Sequence, residues 1–198
     1  MKQKQILSLV GIFMILSLMG TTSLLYSDVT LAVPEIFQEY SNWCWDAGAQ
    51  ATLFYYGLYP SQCEIANYAW DTTKCCNMSG DFYDRLKGCN KANWLYGNDG
   101  SVQGILANWG ISSTAVDDYR TWSECVQDLD GGDPIVMRFG WTSGGGHILV
   151  LYGYITNGSY LKYMDPWPGE GYTTSIYTYV VSSPDHDWTH TLYSLSDN

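Results

Sequence analysis

The chain changes character near residue 131, with helix signals before that point and strand signals after it. In the first part Ser61 precedes Glu64 by three residues and Thr121 precedes Glu124 in the same way; each pair forms the capping box that is typical of a helix start. Four later segments are rich in β-branched and aromatic residues and are bounded by Gly, Asn or Pro: residues 135–139, 147–155, 160–164 and 175–181. The sequence therefore predicts an α+β fold, with a helical lobe over about 33–130 and an antiparallel β lobe over about 131–198.

The N-terminus has the pattern of an export signal. Two lysines precede an apolar segment, residues 6–20, that contains no charged residue. A segment of this length is short for a membrane span, which takes about 20 residues. A small-residue site ending at Ala32 follows, so the pattern predicts a secretory signal peptide over residues 1–32. We expect a secreted, extracellular protein whose domain, residues 33–198, keeps no stable membrane association after cleavage.

The charge of the chain excludes one class of partner. The formal net charge is −11, and removal of the signal segment, which holds two lysines and one aspartate, makes it −12. The remaining domain has seven Lys and Arg residues among the nine of the full chain. Such an acidic chain is a poor partner for nucleic acid, whose phosphates need basic side chains.

Six cysteines also indicate an oxidising compartment. Four of them cluster, and adjacent Cys75 and Cys76 are too strained to bond to each other. Two pairings remain open: Cys63 with Cys75 and Cys76 with Cys89, or Cys63 with Cys76 and Cys75 with Cys89. A zinc site is the competing interpretation, but the Cys-x2-Cys spacing of such sites is missing from the sequence. Cys125 lies on an apolar helical stripe and is predicted to be a buried free thiol.

The sixth cysteine, Cys44, stands where a helix is predicted to begin. The run 45–56 contains no proline, Ser41 or Asn42 fits the N-cap, and Gly57 fits the C-terminal cap. A thiol with an ordinary pKa of about 8.5 is mostly protonated at neutral pH. Because the helix dipole favours negative charge at the N-terminus, this position favours the reactive thiolate.

Three other residues complete a constellation for acyl transfer. His147 follows three glycines and opens an apolar run, and Asp165 follows it by 18 residues. A histidine can activate the thiol of Cys44 and then protonate the leaving group, provided that a third group fixes its orientation. Gln38 precedes Cys44 by six residues, a spacing that lets its side-chain amide and the Cys44 backbone N–H stabilise one oxyanion.

The motifs Gln-x5-Cys-Trp, Gly-Gly-Gly-His and Asp-Pro resemble those of the papain-like cysteine peptidases, in particular the small bacterial and effector-type branch without a large propeptide. The resemblance covers residues 34–198. It implies a papain-like fold in which Cys44 is the nucleophile, His147 the base and acid, Asp165 the orienting residue and Gln38 the oxyanion donor. The chain departs from the family at two positions: Asp46 stands where alanine is more common, and papain itself has Asn where this chain has Asp165.

The leading hypothesis is a secreted cysteine endopeptidase that takes a protein or peptide substrate and uses no cofactor or metal. Two alternatives stay open at this point. One is a cell-wall amidase or other acyl-transfer enzyme with the same Cys-His-Asp chemistry. The other is a catalytically silent binding protein that keeps the fold, for which Asp46 is the only sequence hint. With no room for a large inhibitory propeptide, control is expected from redox state, export or a separate inhibitor.

Two further features have a structural interpretation. Residues 185–190 contain two histidines four positions apart, but the segment lies near a proline in a β-rich region, so a surface turn is predicted rather than a metal site. Asp46 lies two positions beyond Cys44, and two helical positions correspond to about 200° of rotation. We therefore expect the Asp46 side chain to point away from the Cys44 side chain.

Overall fold

A computed structural model describes residues 27–84 and 88–197, so most of the predicted signal segment lies outside the described residues. Five α-helices and seven strands occur in these ranges. In chain order they are β1 (Val29–Thr30), α1 (Cys44–Tyr55), α2 (Gln62–Ala69), α3 (Val102–Asn108), β2 (Ile111–Val116), α4 (Trp122–Gly131), β3 (Ile135–Trp141), β4 (His147–Ile155), β5 (Tyr160–Asp165), β6 (Gly171–Ile176), α5 (Tyr177–Val181) and β7 (His186–Asp197). The predicted α+β class is confirmed.

The two predicted capping boxes form the starts of α2 and α4. Ser61 and Thr121 are the N-caps, and each exchanges hydrogen bonds with the glutamate three residues later. The start of α1 differs from the prediction, because Trp43 is the N-cap and makes no side-chain capping bond. The predicted cap Asn42 is used elsewhere: its backbone N–H donates to the Asn90 side chain and its amide donates to the Asn90 carbonyl.

The seven strands form one antiparallel sheet with the order β2-β7-β3-β4-β5-β6, and β1 pairs with β4. Strand β4 lies in the middle of the sheet, and seven of its nine residues are nonpolar and buried on one face or the other. Because β4 and β5 are antiparallel neighbours, the first residue of β4 and the last residue of β5 lie at the same end of the sheet.

The C-terminal strand differs from the prediction. Residues 185–190 do not form a surface turn, since His186 begins β7, which lies between β2 and β3. The polar residues of the segment obscure the strand pattern in the sequence. In the structure Trp188, Leu192 and Leu195 of β7 are buried. The predicted strand 175–181 is also divided, because its first two residues end β6 and the rest form the short helix α5.

The cysteine pairing is the second of the two that the sequence leaves open. Disulfides join Cys63 to Cys76 and Cys75 to Cys89, with Cα–Cα distances of 4.7 and 5.7 Å. They close the loops that follow α2 in the helical part of the chain. Cys125 is a free thiol and is completely buried, as predicted.

Helix α1 packs directly on strand β4. A Cβ atom on Gly48 would lie 3.1 Å from Cγ2 of Ile148, closer than ordinary van der Waals contact, so a residue without a side chain lets the helix approach the sheet. Ala51 is fully buried in the same interface beside Val150. The small residues of the helix thus face the sheet, and this contact sets the distance between α1 and the start of β4.

Residues on the N-terminal side of the predicted cleavage site contact the sheet. The Leu31 N–H donates to the Tyr152 carbonyl at 2.7 Å, and the Thr156 N–H donates to the Asp28 carboxylate at 2.8 Å. The boundary at Ala32 stays a prediction, and β1 lies on its N-terminal side. Within the described ranges, no helix has the length and apolar character that crossing a membrane requires.

Candidate active site

Cys44 is the first residue of α1 and is partly exposed. As in any helix, the N–H groups of the first turn have no intrahelical carbonyl partner. One of these groups, the Trp45 N–H, donates to the Cys44 sulfur, and the Ile148 N–H on β4 donates to it as well. The helix dipole adds a partial positive charge at this end. Both the helix and the strand therefore stabilise negative charge on the sulfur.

His147 and Asp165 meet where β4 begins and β5 ends. Nε2 of His147 lies 2.6 Å from Oδ1 of Asp165, and the same carboxylate oxygen accepts the Trp167 N–H at 2.8 Å. With Nε2 directed at Asp165, the other ring nitrogen, Nδ1, is left for the hydrogen bond that His147 makes with Cys44. Thiol, imidazole and carboxylate thus form a continuous hydrogen-bonded row.

The row changes the pKa of both central groups. Burial by itself would raise the pKa of the Cys44 thiol, but the hydrogen bond and the positive charge of His147, with the two backbone N–H groups, lower it below its ordinary value. For His147, burial opposes the charged form, yet the bonds to Asp165 and Cys44 raise the pKa of the imidazole well above its usual range. The two opposite directions favour a thiolate–imidazolium pair at neutral pH.

Gln38 is buried and lies beside the segment that carries Asp165. Its backbone N–H donates to the Pro166 carbonyl at 2.8 Å, and its side-chain Nε2 donates to the Tyr40 carbonyl at 2.8 Å. An amide nitrogen has two hydrogens, so one remains for a further acceptor. Of the four predicted site residues, the structure joins Cys44, His147 and Asp165 by hydrogen bonds and links Gln38 to them through the backbone.

Two cavities adjoin Cys44. The first has a volume of about 490 Å³ and contains His147 and Asp165 in its wall. The second, of about 270 Å³, lies towards Ile148 and Arg138. Cys44 lines both cavities, so together they form a cleft that passes over the thiol. An extended chain can lie in such a cleft with one of its carbonyl groups at the sulfur.

Aromatic rings on the β side line the first cavity together with the imidazole, and sequence reasoning missed them. The indole of Trp141 stacks on the His147 ring with centroids 6.0 Å apart. His186, predicted to lie in a surface turn, is buried, lines the first cavity and stacks on Phe139 at 3.7 Å. No spacing motif marks these residues, because the register between β3 and β7 brings Trp141 opposite His186.

The two tryptophans that flank Cys44 are anchors rather than cleft residues. Both are buried, and their indole N–H groups donate to the carbonyls of Cys89 and Lys91 at 2.9 Å. Trp43 and Trp45 therefore attach the loop after the second disulfide to the start of α1. Residues 92–94 of this loop line the second cavity.

Asp46 is completely buried, and neither of its carboxylate oxygens has a hydrogen-bond partner within the described residues. Burial, together with the charge of Glu39, raises the pKa of the Asp46 carboxyl well above its ordinary value. Asp46 does not line either cavity. Across residues 27–84 and 88–197, no group of three or more His, Cys, Asp or Glu side chains is arranged to hold a metal ion.

Three solved structures with a similar fold are peptidases. The peptidase domain of Streptococcus ComA, a bifunctional ABC transporter, has 14% identity and a TM-score of 0.57, and the match covers 84% of this chain and 99% of that one. A double glycine motif protease from an AMS/PCAT transporter, solved with its leader peptide, has 18% identity, a TM-score of 0.51 and coverage of 86% and 98%. Xylellain, a cysteine protease from Xylella fastidiosa, has 13% identity, a TM-score of 0.50 and coverage of 84% and 85%.

The α+β fold, with its helical lobe packed on an antiparallel sheet, and the row of Cys44, His147 and Asp165 define a papain-like cysteine peptidase. The sequence matches the model of the Peptidase_C39 like family over residues 30–190, so the chain belongs to that family. No curated protein matches the sequence.

The lowered pKa of Cys44 predicts that iodoacetamide alkylates it at a lower pH than an ordinary thiol. Thiolate persists below the ordinary thiol pKa of about 8.5, and the rate should fall only as the pH drops below the lowered pKa and the sulfur is protonated. In His147→Ala, burial acts without the imidazole, the pKa rises, and labelling at pH 6 should slow by about tenfold or more. Mass spectrometry between pH 4 and 9 measures the site and the rate, with buried Cys125 as the internal control. If labelling of the unmodified protein rises only near the ordinary thiol pKa of about 8.5, the assignment is contradicted.

Asp46→Ala is expected to stabilise the protein at pH 7. The folded state raises the pKa of this carboxyl, so the folded state binds more protons than the unfolded one, and stability is lost as the pH rises above the ordinary Asp value. Removing the carboxyl should raise the free energy of unfolding by about 1–3 kcal/mol at pH 7 and by less near pH 4.

Urea unfolding at the two pH values measures this difference, and Asp99→Ala, which removes an exposed carboxylate, is the matched control. A loss of stability in Asp46→Ala that is equal at both pH values would show that the carboxyl has a stabilising partner.

Proposed function

We propose that this cysteine peptidase is a secreted endopeptidase whose reaction proceeds through a Cys44 acyl-enzyme. His147 is the proton carrier, Asp165 orients it, and Gln38 with the Cys44 N–H stabilises the oxyanion. The observation that carries the proposal is the hydrogen-bonded row of Cys44, His147 and Asp165 in the wall of an open cleft, with the thiol at a helix N-terminus.

In the first half of the reaction, the Cys44 thiolate attacks the carbonyl carbon of the substrate and forms a C–S bond. The electron pair of the C=O bond moves to oxygen, where the Cys44 N–H and the free amide hydrogen of Gln38 act as donors. His147 donates the Nδ1 proton to the leaving amine as the C–N bond breaks. A thioester and a neutral imidazole remain.

In the second half, His147 removes a proton from water, and the resulting hydroxide attacks the thioester carbonyl. The C–S bond breaks, the carboxylic product leaves, and the thiolate–imidazolium pair is restored. The 2.6 Å contact with Asp165 keeps the imidazole in one orientation through both halves and stabilises its positive charge. The stacked indole of Trp141 restricts the motion of the same ring.

The shape of the site favours a peptide as the acyl donor. Both cavities open towards solvent and adjoin Cys44, so the substrate is free to extend from the reacting carbonyl into each of them. One structural relative was solved in complex with a leader peptide. We therefore propose that the chain cleaves within peptides or unfolded protein and has no need of a metal or cofactor.

The protein is expected to release peptides from an unfolded, fluorescently labelled protein in the presence of a mild reductant. Cys44→Ala should lower the rate at least about 1000-fold, because no other group replaces the nucleophile. Gln38→Ala should lower kcat by about 100–1000-fold, since it removes an oxyanion donor. Cys125→Ala removes the other free thiol, which lies in the core, and serves as the matched control.

A parallel assay with purified peptidoglycan separates the proposed peptidase from a cell-wall amidase. Release of wall peptides without cleavage of the unfolded protein would replace the proposal with the amidase. Unchanged protein cleavage in Cys44→Ala would remove the thiol mechanism altogether.

We propose in addition that the chain is exported and that its N-terminal segment is removed. Expression in a secreting bacterium should give an extracellular protein that is shorter than the full chain, as intact-mass spectrometry will measure. The small-residue site at Ala32 predicts a start at Val33; a start ahead of Asp28 would instead keep β1 and its bonds to β4. Full-length protein retained in the cells would contradict export.

A further inference from the structure

The second cavity contains one charged side chain among the described residues that line it. Arg138, on β3, faces a wall formed otherwise by Ala92, Asn93, Trp94, two glycines, Ile148 and Cys44. Its volume of about 270 Å³ is in the range of one or two side chains of a bound peptide. Apart from Cys44, the side chains of this wall have no part in the proposed proton transfers.

The guanidinium of Arg138 is held in place by neutral groups. Its Nη2 donates to the Gly145 carbonyl at 2.7 Å and its Nη1 donates to the Thr189 hydroxyl at 2.9 Å. Gly146 allows this position, because any Cβ there would overlap the guanidinium. The ion pairs of the described residues do not include Arg138. Since a guanidinium has five N–H donors, several remain for an anionic ligand.

The position of His147 decides which part of the substrate enters this cavity. The leaving amine must receive its proton from His147, which lines the first cavity and not the second. The leaving group therefore extends into the first cavity, and the acyl portion, bonded to the Cys44 sulfur, extends towards Arg138.

The two cavities also differ in charge. The first is lined by Glu170 and Asp185, and by Asp165 paired with the His147 imidazolium, whereas the second has the cation of Arg138. Acidic side chains are repelled from the first cavity and attracted to the second. We propose that the second cavity binds an acidic side chain of the substrate, located one or two residues before the cleaved bond, through a charge-assisted hydrogen bond to Arg138.

This inference rests on the proposed endopeptidase function and specifies its substrate class. A charge-assisted hydrogen bond in a half-exposed pocket should raise kcat/KM for a glutamate-containing peptide about tenfold over the glutamine analogue. A lysine at the same position should lower kcat/KM further, because its charge repels Arg138. The glutamate preference should decrease in 1 M salt, where the charges are screened.

The test uses internally quenched peptides that differ only in Glu, Gln or Lys at the two positions before the cleaved bond. Each is measured with the unmodified protein, with Arg138→Gln and with Arg138→Glu. Lys91→Gln is the matched control, since it removes an exposed positive charge one residue from the wall of the cavity without altering the cavity.

In Arg138→Gln the preference for glutamate should disappear, so that kcat/KM becomes equal for the Glu and Gln peptides, and cleavage of either peptide shows that the variant folds. Arg138→Glu should prefer the lysine peptide. Equal kcat/KM for Glu and Gln in the unmodified protein, or a glutamate preference that survives in Arg138→Gln, overturns the inference and leaves the endopeptidase proposal standing. Failure to cleave any of the peptides counts against the endopeptidase proposal itself, and the inference falls with it.

Discussion

The contact between helix α1 and strand β4 is the interaction on which the site depends. Cys44 comes from the helical lobe and His147 from the sheet, so their distance is set by how closely the two elements pack. Gly48, one turn beyond Cys44, leaves room for Ile148, which directly follows His147. A side chain in place of this glycine would push the thiol away from both the imidazole and the Ile148 N–H that donates to it. The same contact therefore brings together the proposed catalytic pair and buries part of the core.

The charge at the start of α1 depends on which of two groups is ionised, the Cys44 thiol or the Asp46 carboxyl. Cys44 and Asp46 both lie in the first turn, where the helix dipole favours an anion. Burial, and then the charge of Glu39, raises the pKa of Asp46, so the neutral carboxyl persists to higher pH than usual. A neutral Asp46 does not repel the thiolate, whereas an ionised one would oppose it. Asp46 is thus compatible with an activated thiol, but its burial lowers the stability of the fold.

Sequence reasoning predicted the features that depend on local chemistry or fixed spacing. The capping box at Ser61 forms because its bonds are local, and His147 begins β4 as its glycine-rich approach predicted. The features that were missed depend on contacts between distant segments. Asn42 does not cap α1 because it bonds to Asn90, almost fifty positions later. Strand β7 forms because β2 and β3 pair with its two edges. The polar residues around His186 conceal this pairing: Asp185 and Asp187 are exposed, whereas His186 and Trp188 are buried.

The tryptophans beside the proposed nucleophile connect the start of α1 to the loop that forms one wall of the second cavity. The indoles of Trp43 and Trp45 donate to the carbonyls of Cys89 and Lys91, and the disulfide of Cys89 fixes the start of the same loop. Residues 92–94, which follow directly, form the wall of the second cavity opposite β3. Because this wall has no regular secondary structure of its own, its position relative to the thiol comes from these bonds. The disulfide of the loop therefore helps to hold the wall of the second cavity in place, whereas oxidation of the proposed nucleophile, Cys44, would end the reaction. The proposed activity thus requires oxidised loop cysteines and a reduced Cys44.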